Sequence, residues 1–334
     1  MRIGLAGAGR IGAFHAATLQ HLPAVEQVLI TDAVADHGAR VAAGLGAEYV
    51  DSFEALLAAA PDALVITTPT ATHADLIIAA VDAGIPTFCE KPVAASLERT
   101  VEVVRHVEAG GVTVQIGFQR RFDVGFRAAA AAVASGELGF VHHLHALTGD
   151  AAPPPAAYIP MSGGFFRDCN VHDFDAVRFV TGHEVISVHA VGANRGEQFF
   201  RDADDIDSAA AILTLDDGTL ATVIGTRYNA AGYDVRMEVL GSAGSVAVGL
   251  DQHTALRSAE PGTDFPVGPS HPTFMERFLP AYVSELTAFT RVVAGLEANP
   301  CTARDGLQAF RIAEAADRSR RSGRTVLLSD VPDA

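Results

Sequence analysis

The chain has 334 residues, 49% of them hydrophobic and 19% charged, with a formal charge of −16 at pH 7. That length exceeds one ordinary core and suits two domains of roughly 100–200 residues each, and the composition excludes long disorder. The negative charge argues against nucleic acid or an anionic membrane as partner, because phosphate surfaces need a positive field; a small neutral substrate fits better.

Cys89, Cys169 and Cys301 lie far apart with no CxxC or Cys/His spacing, so neither a disulfide framework nor a metal site is expected. Met1 runs directly into a strand-like segment without the regions of a signal peptide. No apolar run reaches the roughly 18 residues of a membrane span. The expectation is a cytoplasmic protein.

In chain order, strand-like runs at 2–6, 27–31, 63–68, 86–89 and 112–117 alternate with helical patterns at 11–20, 36–45, 53–59, 72–83 and 96–108. This rhythm predicts a doubly wound parallel sheet over residues 1–120, with Ser52 and Ser96 as helix N-caps. After residue 120 the rhythm changes. A helix near 124–134, an alternating stretch at 140–147 and a loop with Pro153-Pro154-Pro155 lead to strand-like runs at 185–193, 207–215, 219–228, 234–240 and 244–249. Asp216-Asp217-Gly218 and Ser242-Ala243-Gly244 read as hairpin turns. Helices at 273–295 and 303–321, separated at Asn299-Pro300, precede a last strand at 325–328. Residues 121–334 thus read as an α/β domain with a large, mainly antiparallel open sheet, whose last segment packs back on the first domain.

Gly7-Ala8-Gly9-Arg10-Ile11-Gly12 follows the first strand and opens the first helix, the context in which GxGxxG binds a dinucleotide. Gly7 permits the turn, Gly9 lets backbone approach the pyrophosphate, and Gly12 packs helix on strand. Arg10 adds a charge for the phosphates. Asp32, twenty residues beyond Gly12, accepts the ribose hydroxyls and repels a 2′-phosphate, so NAD is expected rather than NADP. Thr68-Pro69 and His73, at the end of the third strand, are expected on the cofactor side, although a proline turn with a helix cap explains them too.

Glu90-Lys91-Pro92 ends a strand facing the same crevice, which would let Lys91 project beside the nicotinamide and share a proton with a substrate hydroxyl. The plain alternative is a solvated surface lysine, weakened here because arginine carries nearly all the positive charge. Asp168, His172 and Asp175 stand at i, i+4 and i+7 of an expected helix after Gly163-Gly164 and share one face. His172 suits proton transfer near pH 7 and Asp168 could hold its ring; an exposed acidic face is the alternative. Phe14 and His15 read as packing and helix surface.

These residues, together with Thr68-Pro69-Thr70, Glu90-Lys91-Pro92, Gly117-Phe118-Gln119-Arg120-Arg121-Phe122-Asp123 and Gly163-Gly164 leading to His172-Asp173-Phe174-Asp175, resemble the Gfo/Idh/MocA oxidoreductases and, within them, the inositol 2-dehydrogenases. The resemblance covers nearly the whole chain. It implies an N-terminal NAD-binding Rossmann domain, a C-terminal domain whose open sheet forms a homo-oligomer (dimer or tetramer), and a catalytic set of Lys91, Asp168 and His172. Cofactor contacts would come from Gly7, Gly9, Arg10, Ile11, Gly12, Asp32, Thr68, Pro69, His73, Glu90 and Lys91. Arg120, Asp175 and Tyr233 would join the catalytic set in holding substrate hydroxyls.

Two positions depart from the pattern: Thr148-Gly149-Asp150-Ala151 lacks the arginine or asparagine usual near the substrate, and Gln119 replaces a methionine. The expected reaction is NAD-dependent oxidation of a secondary ring hydroxyl of a cyclic polyol, myo-inositol foremost. A pyranose or anhydrosugar dehydrogenase, and a non-catalytic NAD-responsive regulator, are the alternatives.

Overall fold

A computed structural model describes residues Met1–Ala334, which divide into two compact units. The first contains 1–119, 280–307 and 332–334, and the second 120–279 and 308–331. A single cut near residue 120 therefore misses the return of 280–307. The reason is apolar: Leu286 and Phe289, both fully buried, belong to the same core as Ile3, Leu5, Val28, Ile30, Val65 and Phe88. Each such side chain taken out of water stabilises by about 1.5–3 kcal/mol, which outweighs chain order. The final strand belongs to the second unit, and only 332–334 rejoin the first.

Unit one follows the expected alternation: β1 (Arg2–Ala6), α1 (Arg10–His21), β2 (Gln27–Thr31), α2 (Ala35–Leu45), a short β3 (Glu48–Tyr49), α3 (Phe53–Ala58), β4 (Ala63–Ile66), α4 (Thr70–Asp82), β5 (Thr87–Glu90), α5 (Leu97–Gly110) and β6 (Val114–Gly117). The sheet runs β3-β2-β1-β4-β5-β6 with every pair parallel. Its strands read as unbroken apolar runs because helices cover both faces. Ser52 and Ser96 cap α3 and α5, accepting from the Ala55 and Arg99 N–H groups. Strand order reverses between β1 and β4, and at such a point the crevice beyond the carboxyl ends is where ligands bind.

In the second unit, α6 (Val124–Ser135) and β7 (Val141–Gly149) come first. A π-helical turn (Phe166–Asn170) runs into α7 (Val171–Thr181), followed by β8 (Val185–Ala193), a short α8 (Gln198–Asp202), β9 (Ser208–Leu215), β10 (Leu220–Thr226), β11 (Asp234–Gly241) and β12 (Ser245–Val248). Two helices, α9 (Phe274–Val293) and α10 (Ala303–Ser322), are divided between the units, and β13 (Val326–Leu327) pairs with β8. The sheet order is β12-β11-β7-β10-β9-β8-β13, antiparallel except for β7 with β10. Period-2 alternation divides its faces. Ala209, Ala211, Leu213 and Leu215 of β9 are buried, while Ile212 on the other face is 51% exposed. No helix of the chain is long and apolar enough to cross a membrane.

Candidate active site

The turns after β1, β2 and β4 and the end of β5 share the carboxyl edge of the parallel sheet. Gly7 has a φ of +94°, and a Cβ there would lie 2.7 Å from the Thr68 backbone nitrogen. A Cβ on Gly12 would fall 1.8 Å from the Gly7 carbonyl oxygen, so α1 can pack this closely only through glycine. Gly9 differs, since a Cβ there would meet nothing within 4 Å. No atom of the chain demands glycine at that position; a ligand approaching the backbone would. The first turn of α1 also lacks the side-chain cap that α3 and α5 have, leaving its N–H donors for an anion. Arg10 is exposed and Ile11 half-buried at the same helix start.

Asp32 stands just past β2. Its carboxylate accepts from the Ala8 N–H at 2.7 Å and the Val34 N–H at 2.8 Å, which ties it to the glycine turn. A carboxylate offers about four acceptor positions, so it retains capacity for two ribose hydroxyls. This donor set fits NAD: an open glycine backbone, an uncapped helix start and a carboxylate at the ribose end.

Thr68 and Pro69 close β4, with the Thr72 hydroxyl 2.7 Å from that of Thr68. His73 is held by backbone on both sides. It is only 2% exposed, with Nδ1 2.7 Å from the Pro92 carbonyl oxygen and Nε2 2.8 Å from that of Thr68. Each ring nitrogen thus faces a backbone carbonyl of a different turn, one of them donating when the ring is neutral, and His73 links the two turns. Burial pulls its pKa below the ordinary histidine value, against the opposing pull of the two carbonyls and Glu90.

Lys91 is the only lysine among the 334 residues and follows directly on β5. Its neighbour Glu90 is bound by His15, whose Nε2 donates to Oε1 at 2.7 Å. His15 is fully buried among Phe14, Phe88 and Tyr282, and its Nδ1 has no hydrogen-bond partner. Such an orphan costs about 1–3 kcal/mol. The expectation of helix surface is wrong for His15, although that of packing holds.

In the second unit, Gly163 and Gly164, with φ of +82° and +98°, turn the chain into the segment carrying Asp168 and His172. The expected single helix is two: Asp168 lies in the π-helical turn and His172 and Asp175 in α7, so even i, i+4, i+7 spacing does not apply. Asp168 accepts from the Tyr158 hydroxyl at 2.8 Å and from Arg227 at 2.6 Å. Arg227, 5% exposed, also donates to Asp150 at 2.9 Å, so one cation is shared by two carboxylates. His172 is half-buried one turn on.

Arg120 and Asp175, expected at the substrate, are both engaged by buried partners of the second unit. Arg120 is 2% exposed and donates to Asp173 and to the Thr148 hydroxyl, and Asn170 completes that buried network through Asp173. Asp175, fully buried, receives Nε and Nη2 of Arg121 at 2.9 and 2.7 Å. A buried charge without a partner costs several kcal/mol, and these arginines remove that cost. Tyr233 is 8% exposed and sits edge-on to Phe274 and Phe278. Burial raises its phenol pKa, which keeps it a hydrogen-bond donor.

Comparison with known proteins fits this geometry. Residues 1–118 match the model of an oxidoreductase family with an NAD-binding Rossmann fold, and residues 126–247 match that of the GFO/IDH/MocA C-terminal domain. This chain belongs to the Gfo/Idh/MocA oxidoreductase family. It is 38% identical over 332 residues to an inositol 2-dehydrogenase of Rhizobium meliloti (strain 1021), spanning 98% of this chain and 99% of that protein. A myo-inositol dehydrogenase from Corynebacterium glutamicum ATCC 13032 is similar in structure, with a TM-score of 0.90 at 37% identity over 98% of each chain. A scyllo-inositol dehydrogenase from Lactobacillus casei with bound NAD(H) and scyllo-inositol gives 0.87 at 28% identity, over 98% of this chain and 99% of that one.

For a Gfo/Idh/MocA oxidoreductase, the residues missed in the sequence are informative. Arg227 and Tyr158 hold Asp168, and Arg121 rather than Arg120 holds Asp175. One signal was visible: the departure at Asp150 places a carboxylate where Arg227 needs its second partner.

Proposed function

We propose that this oxidoreductase catalyses the reversible, NAD-dependent oxidation of a secondary ring hydroxyl of a cyclic polyol, with myo-inositol the first substrate to test. The observation that carries this reading is the single lysine: the chain's one side-chain ammonium group follows the sheet edge that the glycine turn and Asp32 mark as the dinucleotide site. Bound NAD supplies the hydride acceptor. Lys91 hydrogen-bonds the substrate oxygen as negative charge develops on it, and His172 takes the hydroxyl proton. Asp168, held by Arg227, orients the imidazole and stabilises its charged form. Tyr233 donates to a neighbouring ring hydroxyl. The inositol dehydrogenases among the relatives support the substrate class.

We also propose a homo-oligomer, a tetramer, formed through the open sheet face. Ile186, Val191, Ile212, Leu220 and Ile224 lie there between 37% and 57% exposed, large apolar side chains of the kind that association covers. All three cysteines are free thiols, which supports a reducing cytoplasm.

Mixing protein, NAD and myo-inositol should produce NADH absorbance, and Lys91→Ala should lower turnover by about 10²-fold or more while NAD still binds. Unchanged turnover in that variant overturns the role of Lys91; no NADH with any polyol overturns the reaction.

A further inference from the structure

Among the histidines without a part in the chemistry, two grip the two chain neighbours of the same residue. His15 binds the Glu90 carboxylate at 2.7 Å, and His73 reaches the Pro92 carbonyl at 2.7 Å. Lys91 lies between them in the sequence. Both rings are 2% exposed or less, so neither can serve by contacting solvent or ligand.

Their origins differ in a useful way. His15 stands on α1, three residues past Gly12, the last glycine of the turn assigned to pyrophosphate. His73 stands on α4, and its other nitrogen faces the carbonyl of Thr68, in the turn assigned to the cofactor side. Each ring therefore joins a cofactor turn to one flank of Lys91. Packing alone is a poor account of His15: an apolar side chain would fill the site among Phe14, Phe88 and Tyr282 without burying an unpartnered nitrogen.

We propose that His15 and His73 are positioning residues, which set the Lys91 ammonium by bracing Glu90 and Pro92 against the two cofactor turns. The inference rests on the reading of Lys91 as the group that bonds the reacting oxygen. Its consequence is coupling: a bound dinucleotide that orders the two turns also orders the lysine. A displacement of about 1 Å in such a group lowers turnover on the order of 10²-fold, with little change in cofactor affinity.

The single lysine makes the test direct. Protein grown with lysine labelled at its ε-carbon gives one side-chain NMR signal, that of Lys91. In the wild type, NAD should shift this signal. In His15→Leu and His73→Leu the NAD-induced shift should collapse toward that of a freely solvated lysine, and kcat with myo-inositol should fall about 10- to 100-fold. The NAD dissociation constant should stay within about threefold. His15→Gln and His73→Gln, which keep a donor, should recover most of both losses, and they decide the matter if the leucine variants do not fold. Wild-type shift and turnover in folded leucine variants would overturn the proposal, as would loss of NAD binding in step with turnover. If the wild type turns over no polyol, the proposed reaction fails, but the lysine signal still judges the bracing. A wild-type signal unmoved by NAD overturns both.

Discussion

The two units hold the residues proposed for chemistry in opposite ways. In the first, the groups that matter leave the ends of neighbouring parallel strands: Gly7 to Gly12 after β1, Asp32 after β2, Thr68 after β4, Lys91 after β5. Sheet order places them, and each can be found from its own strand. In the second, Asp168 depends on Tyr158, Arg227 and Asp150, and the buried Asp173 depends on Arg120, Thr148 and Asn170. These partners are up to 77 residues apart along the chain. A motif held by strand ends tolerates change around it, whereas a network of buried charges has no replaceable member.

The largest effect should test that contrast directly. Arg227→Met removes the cation shared by Asp150 and Asp168 and should destabilise the second unit by about 3–5 kcal/mol, the scale for breaking a buried ion pair. Chemical denaturation measures it, and a loss below about 1 kcal/mol would show that the network is no more fragile than a surface pair.

The glycine turn offers a smaller and sharper comparison. Gly12→Ala must relieve a 1.8 Å approach to the Gly7 oxygen, so it should cost about 1–3 kcal/mol of stability as well as NAD affinity. Gly9→Ala meets no atom of the chain and should melt like the wild type while binding NAD more weakly. Calorimetry with and without NAD separates the two. Equal melting shifts in both variants would erase the distinction between a glycine required by packing and one required by ligand.

The smallest effect concerns His73. Its folded pKa lies below the ordinary value of about 6.5, burial being the first cause. Above that value the ring is neutral in both states, with one nitrogen donating to a carbonyl, and its contribution to stability is complete. Below it the unfolded chain binds a proton that the folded one does not, and stability falls as pH drops toward the folded pKa. His73→Gln should flatten this part of the stability curve, measured by melting between about pH 7 and pH 5. An unchanged slope would mean that His73 is already protonated where it sits.

The expectation for NAD, the parallel sheet and the antiparallel sheet could all be drawn from residue order, because each rests on a local pattern: glycine spacing, alternation of strand and helix, period-2 hydrophobicity. The places of Asp32 and Lys91 just past β2 and β5 were legible for the same reason. Local pattern could not show that His15 and His73 face Glu90 and Pro92 rather than solvent or cofactor. Nor could it show that Arg120 and Asp175 neutralise partners within the unit, or that a π-helical turn interrupts the segment bearing Asp168. Those outcomes follow from burial. Once a charged or polar group leaves water it must find a partner wherever the fold brings one, and chain separation carries no information about where that is.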